Sequence, residues 1–349
     1  MNLKIVCTIV VTLMLFSEPG FSQSFEKLKF PEKNGIWIRP AQEGPAQPIW
    51  GFENGIRVGL APMPGPRGLL RIYTPYLGHK DEKMINFIAL EPVLVGQKQR
   101  GFSELEMSTL DDVRGKRIWS SNDSLSTSPL LAEFPAHGVI EEIDGAETLT
   151  VFIFSEPFDG GAKVYVRLRF FENRPFEVEL ATYTREDSKE LDYLILTATM
   201  GNFARLRSLY LDGSTRSSLE IWPDYTDIHF TGHDITPLDA MIKNQSGGAF
   251  FIASPDEVSP QKAVYASDTN DHWKYGKNAT QYWYCPEPTS RLEGLVNGRY
   301  TYWASHSPIP GGISFENFEL NEPFSNGAKY VFGVSPLAPN QFIEEVTEN

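Results

Sequence analysis

Apolar and polar residues alternate along several short segments of the chain. In residues 164–170 the apolar side chains occupy every second position, which places them on one face of an extended strand. The same two-residue period recurs in residues 176–180. Charged residues fill the intervening positions of both segments, where cross-strand ion pairs form readily. We expect such pairs to join Arg167 and Arg169 with Glu177 and Glu179.

Apolar stretches of strand length recur along the chain, and none of them has a long helical period. The candidate strands are residues 69–74, 84–90, 149–154, 162–171, 176–183, 193–200, 248–254, 280–285, 299–304, 312–320 and 329–334. Two of them flank Asp159-Gly160-Gly161, which is a hairpin signal, and residues 103–110 or 238–242 could form short helices. No flexible linker or repeat interrupts the pattern. It predicts an all-β fold, one large antiparallel β-sandwich of the supersandwich type with few short helices.

Proline and glycine modify this picture near the start of the chain. The chain has 28 glycines and 25 prolines, and six of the prolines fall within residues 36–66. Such a segment cannot hold a helix, because proline lacks the backbone N–H and fixes φ. We expect residues 36–66 to form an extended lead-in that pairs at the edge of a sheet.

The first residues have the pattern of an export signal. Lys4 precedes a short apolar run, residues 5–16, and Gly20-Phe21-Ser22 offers a small-x-small cleavage pattern. The run is shorter than a membrane-spanning helix requires. We therefore predict a cleaved signal peptide at residues 1–22, a single sandwich domain at residues 23–349, and a periplasmic or secreted location. The mature chain then keeps only Cys285, so the sequence predicts no intramolecular disulfide.

Charge and absent motifs exclude several classes of function. The formal net charge of −14 argues against general nucleic-acid or anionic-membrane binding. The chain lacks HExxH, paired CxxC, GxSxG, phosphate-loop and dinucleotide motifs. His229 and His233 have the spacing of a zinc helix, but their strand-rich surroundings make a helix there improbable. We predict no catalytic metal and no cofactor, whereas Asp268-Thr269-Asn270-Asp271 is compatible with either a Ca²⁺ loop or a plain turn.

Aromatic residues are concentrated late in the chain, with eight of them between Trp273 and Trp303. Alternation along a strand sends Tyr282 one way and Trp283 the other, so one set can pack in the core while the other lines an open face. Flat aromatic faces beside polar groups such as Lys277 suit sugar rings. This cluster predicts either a glycan groove, with Trp303 among its aromatics, or a well-packed aromatic core.

Two short motifs resemble carbohydrate-active families. Gly312-Ile313-Ser314-Phe315-Glu316-Asn317 resembles the late strand of galactose-mutarotase-like sandwiches, whose Gly-apolar-x-apolar-Glu stretch carries the catalytic base. The resemblance implies that Glu316 is this base and that His229 or His233, which precede it as in that family, is the acid. Residues 274–281 resemble less closely the Tyr-Phe-Lys-x-Gly-x-Tyr-x-Gln strand of alginate-lyase jelly rolls.

These residues predict proton transfer on an oligosaccharide or polysaccharide. Such chemistry needs an acid and a base on opposite sides of a sugar ring. An arginine, Arg299 or Arg71, would neutralise a substrate carboxylate. If residues 299–304 and 312–320 are neighbouring strands, Arg299, Tyr300, Glu316 and Asn317 surround one cleft together with a histidine.

The residues leave the reaction open. A lyase or an epimerase fits a His/Glu pair, whereas a hydrolase would need two opposed carboxylates, Glu316 with Glu91, Glu104 or Glu106. A non-catalytic glycan-binding sandwich would use the same aromatic side chains. A structural surface protein fits the fold and the export signal but gives the aromatic cluster no function.

Overall fold

The chain folds into two large antiparallel β-sheets, which confirms the all-β sandwich. The computed structural model describes residues 28–60, 68–77, 84–98, 100, 102–105, 115–125, 134–199, 205–255, 279–302 and 306–348. The signal-peptide prediction falls on residues outside these ranges and stays a prediction. Within the described residues no helix has the length and apolar character needed to span a membrane.

Most of the described chain is extended. In chain order the strands are β1 (Glu32–Asn34), β2 (Trp37–Arg39), β3 (Ile49–Phe52), β4 (Arg57–Gly59), β5 (Leu70–Tyr73), β6 (Met84–Leu94), β7 (Ile118–Ser121), β8 (Val139–Ile143), β9 (Ala146–Ser155), β10 (Val164–Phe171), β11 (Glu177–Thr184), β12 (Leu191–Thr199), β13 (Leu206–Leu211), β14 (Ser214–Ser217), β15 (Asp234–Pro237), β16 (Ile242–Lys243), β17 (Ala249–Pro255), β18 (Thr280–Cys285), β19 (Glu293–Arg299), β20 (Ser314–Pro323) and β21 (Lys329–Ser335). The helical segments are α1 (Phe102–Leu105), α2 (Ser218–Ile221) and α3 (Pro339–Glu348), with 3₁₀ turns at Pro75–Leu77 and Leu238–Ala240.

The two sheets differ in which parts of the chain they use. The ten-stranded sheet has the order β1-β2-β3-β4-β5-β6-β12-β20-β19-β15. The eleven-stranded sheet has the order β14-β13-β17-β18-β21-β11-β10-β9-β7, and β16 and β8 pair with β17 and β9. Each sheet therefore combines early and late strands, so its register depends on pairing between distant segments.

The core lies between the sheets, where the inward side chains of both sheets meet. Phe251 from β17 stacks on Phe318 from β20 with ring centroids 4.8 Å apart, and Trp283 from β18 contacts Phe332 from β21. The alternation predicted for residues 164–170 is confirmed, because β10 buries every second side chain. One of the expected cross-strand ion pairs is also present, with Arg167 Nη2 3.3 Å from Glu179 Oε1.

One local expectation is confirmed and another was wrong. Residues 238–242 contain the expected short helix, the 3₁₀ segment Leu238–Ala240, before β16 begins at Ile242. The strand expected at residues 299–304 lies earlier, because β19 ends at Arg299. Gly294 contributes no apolar side chain, so the apolar pattern did not indicate a strand here. The structure requires a glycine at this position, because a Cβ would lie 2.7 Å from the Phe251 ring. The expected antiparallel pairing with the next strand is nevertheless present between β19 and β20.

Candidate active site

The outer face of the ten-stranded sheet carries the candidate site. Strand β12 sends Leu194, Leu196 and Ala198 into the core between the sheets. Because side chains alternate along a strand, Thr197 points away from that core. Its direct partner on β20 is Glu319. On the other side of β12, Glu91 of β6 lies opposite Ile195, which is two residues from Thr197 along the strand. Three polar side chains from three adjacent strands therefore meet on this face.

Both carboxylates of this group are fully buried, with side chains 0% exposed. The Thr197 hydroxyl donates to Glu91 and lies 3.4 Å from Glu319 Oε1, so it bridges the two acids. Charged groups removed from water are destabilising unless they are paired and hydrogen-bonded. The two glutamates therefore require a cation.

Arg100 supplies that cation. Its Nε donates to Glu91 Oε2 at 2.9 Å and its Nη2 to Glu91 Oε1 at 3.1 Å, which makes a bidentate pair. The same Nη2 donates to Glu319 Oε1 at 2.7 Å. One guanidinium thus pairs with two buried carboxylates, while the arginine side chain itself stays 27% exposed.

His233 completes the cluster from a different part of the chain. Its Nε2 accepts a hydrogen bond from Arg100 Nη1 at 3.1 Å and lies 3.5 Å from Glu319 Oε2. Contacts on either side hold the histidine in place. Asp234, the first residue of β15, binds Arg216 through two hydrogen bonds of 2.7 and 3.2 Å, and Thr231 exchanges hydrogen bonds with Gly298 of β19. The His233 side chain is 34% exposed, so it can touch a ligand.

The environment separates the proton affinities of the two glutamates. Burial raises the pKa of Glu91, although Arg100 and the Thr197 hydroxyl oppose the rise. Burial also opposes ionisation of Glu319, but the His233 imidazole and Arg100 outweigh it and hold its pKa below the usual value. Burial lowers the pKa of Arg100, and the two carboxylates more than reverse this, so the arginine remains charged. Paired acids with divergent pKa values are typical of acid–base sites.

The predicted base, Glu316, belongs to a neighbouring pair on the same strand. The register of β19 and β20 shifts between Asn297 and Gly298, which places Glu316 at a bulge. Its Oε2 lies 3.6 Å from Arg299 Nε, and both side chains are almost fully buried. Burial raises the pKa of Glu316 and lowers the pKa of Arg299, and their mutual attraction partly offsets both shifts. The carboxylate that contacts His233 is Glu319.

Amide groups lie between these two pairs. Asn317 accepts a hydrogen bond from the Thr199 hydroxyl at 2.9 Å, and its backbone N–H donates to Asn297 Oδ1 at 3.1 Å. The predicted site residue Asn317 is therefore on the outer face, directly opposite Asn297. Arg71, on β5, is further along this face, with its guanidinium 5.8 Å from the centroid of the Phe87 ring.

The other predicted site residues are placed away from this cluster or outside the described residues. His229 lies on an exposed turn, with Nε2 4.0 Å from Asp227, and Tyr300 is half-buried in the segment that follows β19. Trp283 is fully buried in the core between the sheets. Tyr282 is buried under α3, where its ring packs on Phe342 at 4.3 Å and its hydroxyl donates to Glu177. Lys277 and Trp303 lie outside the described residues.

The burial of Tyr282 and Trp283 corrects the predicted aromatic groove at β18. The alternation was right, since the two side chains point to opposite faces, but helix α3 covers the face that carries Tyr282. Neither ring is presented to a ligand. The exposed aromatic nearest to the site in sequence is Phe230, whose side chain is 45% exposed and whose ring lies beside Arg299.

Sequence reasoning missed Arg100, Thr197 and Glu319 as site residues. The alternation of Phe318, Glu319 and Leu320 does mark Glu319 as facing away from the core. Among the described residues, no cluster of three or more His, Cys, Asp or Glu side chains is arranged to hold a metal ion. No model of a known protein family matches the chain, and no curated protein is similar to it in sequence.

Proposed function

We propose that the protein is a carbohydrate-active enzyme, a lyase or an epimerase, that transfers protons on a glycan at the cluster of Arg100, Glu91, Glu319 and His233. The observation that supports this most is the burial of two carboxylates that share one partly exposed arginine beside an accessible histidine. Buried ion pairs are often less stabilising than apolar residues of the same size. Perturbed titratable groups of this kind concentrate at functional sites.

Exposure divides the roles within the cluster. Only His233 and Arg100 have enough accessible surface to touch a substrate, whereas Glu91 and Glu319 are enclosed. We therefore propose that His233 exchanges a proton with the substrate and that the ionised Glu319 stabilises its imidazolium form. Arg100 has five N–H groups. The N–H on Nη1 that is not used by His233 would stabilise negative charge on a sugar oxygen.

Glu316 keeps the proposed role of the base on the other side of the sugar, but its side chain is only 5% exposed, so its pair with Arg299 would have to open before it could reach a substrate. It lies three residues from Glu319 on β20, and a strand advances about 3.4 Å per residue, which gives a separation of roughly 10 Å. One sugar ring with its two reacting groups fits in such a span. The amides of Asn317 and Asn297 lie between the two glutamates, where they can bind sugar hydroxyls.

Two observations and one prediction, the export signal, support a glycan as the substrate. The fold is a large antiparallel sandwich, as the resemblance to galactose-mutarotase-like proteins implies. The outer face supplies hydroxyl and amide groups in adjacent strands, and Phe230 offers an accessible ring beside them. Export through a signal peptide would place such an enzyme in contact with extracellular glycans.

The test is a panel of polysaccharides and oligosaccharides incubated with the protein. New reducing ends, absorbance of unsaturated uronates and epimerised products would be measured separately. We expect one activity, and we expect His233→Gln to lower it by about 10²–10⁴-fold, the usual contribution of a general acid or base. His229→Gln is the matched control, because that histidine lies on an exposed turn. Equal activity of wild type and His233→Gln would contradict the proposal.

One observation favours a non-catalytic glycan-binding sandwich as the second candidate. Arg100 already binds both carboxylates without a substrate, and of their four oxygens Glu319 Oε2 alone lacks a hydrogen bond among the described residues. A protein that binds one member of the panel but converts none of them would support this reading. Binding to a polysaccharide affinity gel, measured beside the activity assays, separates the two functions.

A further inference from the structure

One nitrogen of His233 has two partners that require opposite proton positions. Arg100 Nη1 lies 3.1 Å from Nε2, and Glu319 Oε2 lies 3.5 Å from the same atom. An arginine can only donate, so its hydrogen bond needs a lone pair on Nε2. An ionised glutamate can only accept, so its bond needs a proton on Nε2. The two bonds cannot form in the same protonation state of the imidazole.

The distances indicate that the neutral imidazole of His233 is hydrogen-bonded to Arg100 and not to Glu319. The contact with Arg100 has the length of a hydrogen bond, whereas the contact with Glu319 exceeds the usual N–H···O range. With the Nε2 lone pair occupied, the one proton of a neutral imidazole must be on Nδ1. Among the described residues no group forms a hydrogen bond to Nδ1, and the side chain is one-third exposed.

We infer that Arg100 is a positioning residue that fixes the neutral tautomer of His233 with its proton on Nδ1, so that the histidine presents a donor to the substrate. The inference rests on the proposed function, because it assigns the donor role to His233 in that reaction. It also identifies which member of the cluster sets this role.

Protonation of His233 keeps the proton on Nδ1. The cationic imidazole carries a second proton on Nε2, which Arg100 can no longer approach as a donor. Glu319 Oε2 then becomes its acceptor, and no other hydrogen bond to this buried oxygen occurs among the described residues. The other charged groups around the ring are engaged elsewhere, Glu91 with Arg100 and Asp234 with Arg216. His233 therefore carries Nδ1–H in both states. When the cationic imidazole gives the Nδ1 proton to the substrate, its remaining proton stays on Nε2 and is accepted by Glu319 Oε2, and Nδ1 is protonated again from solvent before the next turnover. The base must be a different residue.

The test is NMR spectroscopy of protein labelled with ¹⁵N-histidine, at a pH where the imidazole is neutral. The nitrogen without a proton resonates far downfield of the protonated one, so the spectrum reports the tautomer directly. The chain has six histidines, and loss of one signal set in His233→Gln assigns His233. We expect the downfield signal at Nε2 in the wild type. A downfield signal at Nδ1 would overturn the inference.

Two variants separate positioning by Arg100 from a general effect of the fold. In Arg100→Met the donor to Nε2 is lost, and we expect the downfield signal to move to Nδ1 as Nε2–H turns to Glu319. In Arg100→Lys a cationic donor remains, and we expect the wild-type tautomer. An unchanged tautomer in a folded Arg100→Met protein would overturn the inference. If Arg100→Met does not fold, a downfield signal at Nδ1 in the wild type or in Arg100→Lys would still overturn the inference.

The readout does not depend on activity, which keeps the two proposals distinguishable. A wild-type protein with the predicted tautomer but no reaction on any glycan would leave the positioning role intact and remove the enzymatic function. An active enzyme with the opposite tautomer would leave the enzymatic function intact and remove the positioning role. In an active enzyme, Arg100→Lys should retain more of the wild-type activity than Arg100→Met.

Discussion

Replacement of Arg100 by methionine removes the only cation that contacts both buried glutamates among the described residues. Methionine keeps much of the side-chain volume, so the change acts mainly on charge. Breaking a buried ion pair by removing one partner costs about 3–5 kcal/mol, because the other charge stays buried without compensation. We expect a loss of that size in the free energy of unfolding at pH 8.

The loss converts into a shift of the melting temperature. Unfolding entropy near the transition is about 2.1 cal/mol/K per residue, which for the 349 residues of the chain gives about 0.7 kcal/mol/K. A loss of 3–5 kcal/mol then lowers the melting temperature by about 4–7 °C. Urea unfolding followed by tryptophan fluorescence, with thermal unfolding beside it, measures both quantities.

The defect should depend on pH in a defined direction. In the wild type the pKa of Glu319 is lowered, so its stabilisation is present above the unfolded value of about 4.3 and is lost as pH falls through the folded pKa. Without Arg100, burial raises the pKa of Glu91 further, and Glu319 loses one of the two partners that lower its pKa while it keeps the other, His233. The variant then loses most stability where the two acids are ionised. Its loss in the free energy of unfolding relative to the wild type should therefore become smaller as the pH falls from 8 to 5.

Arg291→Met is the matched control for this prediction. Arg291 is exposed and contacts Tyr193 at the surface, with its guanidinium 5.5 Å from the ring centroid. Exposed contacts of this kind contribute about 0–1 kcal/mol. A deficit for Arg100→Met that is no larger than that of the control, or one that is equal at pH 5 and pH 8, would refute the buried-cluster interpretation.

Two further predictions concern the core. Trp283→Ala should lower the free energy of unfolding by about 3–5 kcal/mol in urea titrations, because it leaves a cavity and removes the 2.9 Å hydrogen bond from the indole to Phe318 O; a loss below about 1 kcal/mol would show that the side chain is not in the core. Burial raises the pKa of Cys285 to about 12, so its thiol should resist a thiol reagent at pH 8 in the native protein and react after unfolding; rapid native reaction would contradict its burial.

Local pattern was sufficient to predict much of the fold. Strand β18 has the bounds predicted from its apolar residues, and β10 has the predicted alternation, because both segments follow a period of two that survives packing. The prediction of strand β19 was wrong for a physical reason. Its Gly294 and Gly298 contribute no apolar side chain to the pattern, and they are present because Phe251 and Ile313 approach the strand backbone closely.

The site was harder to predict from the sequence, because it is formed by the pairing of strands that are far apart in the chain. Arg100 and Glu319 are 219 residues apart, and Thr197 and Glu91 are 106 apart. Alternation can indicate that Glu319 faces away from the core, but only the pairing of β6, β12 and β20 brings it beside Thr197 and Arg100. Glu316 has the better local motif and still does not contact His233 in the described structure. A motif of six residues cannot specify which of two carboxylates on one strand meets a distant histidine.

The two outer faces of the sandwich show what distinguishes this cluster from a structural ion pair. On the eleven-stranded sheet, Arg167 and Glu179 come from adjacent strands and contact each other at 3.3 Å, which is enough to stabilise a local pairing. Around Arg100, the side chains of Glu91, Glu319 and His233 share one guanidinium, and Nε2 of His233 can bind either Arg100 or Glu319 but not both. The proposed proton transfer would use that choice, because it gives each protonation state of His233 a partner. A large stability loss in Arg100→Met with an unchanged tautomer of His233 would make the cluster structural. A loss accompanied by a change of tautomer would give it both roles.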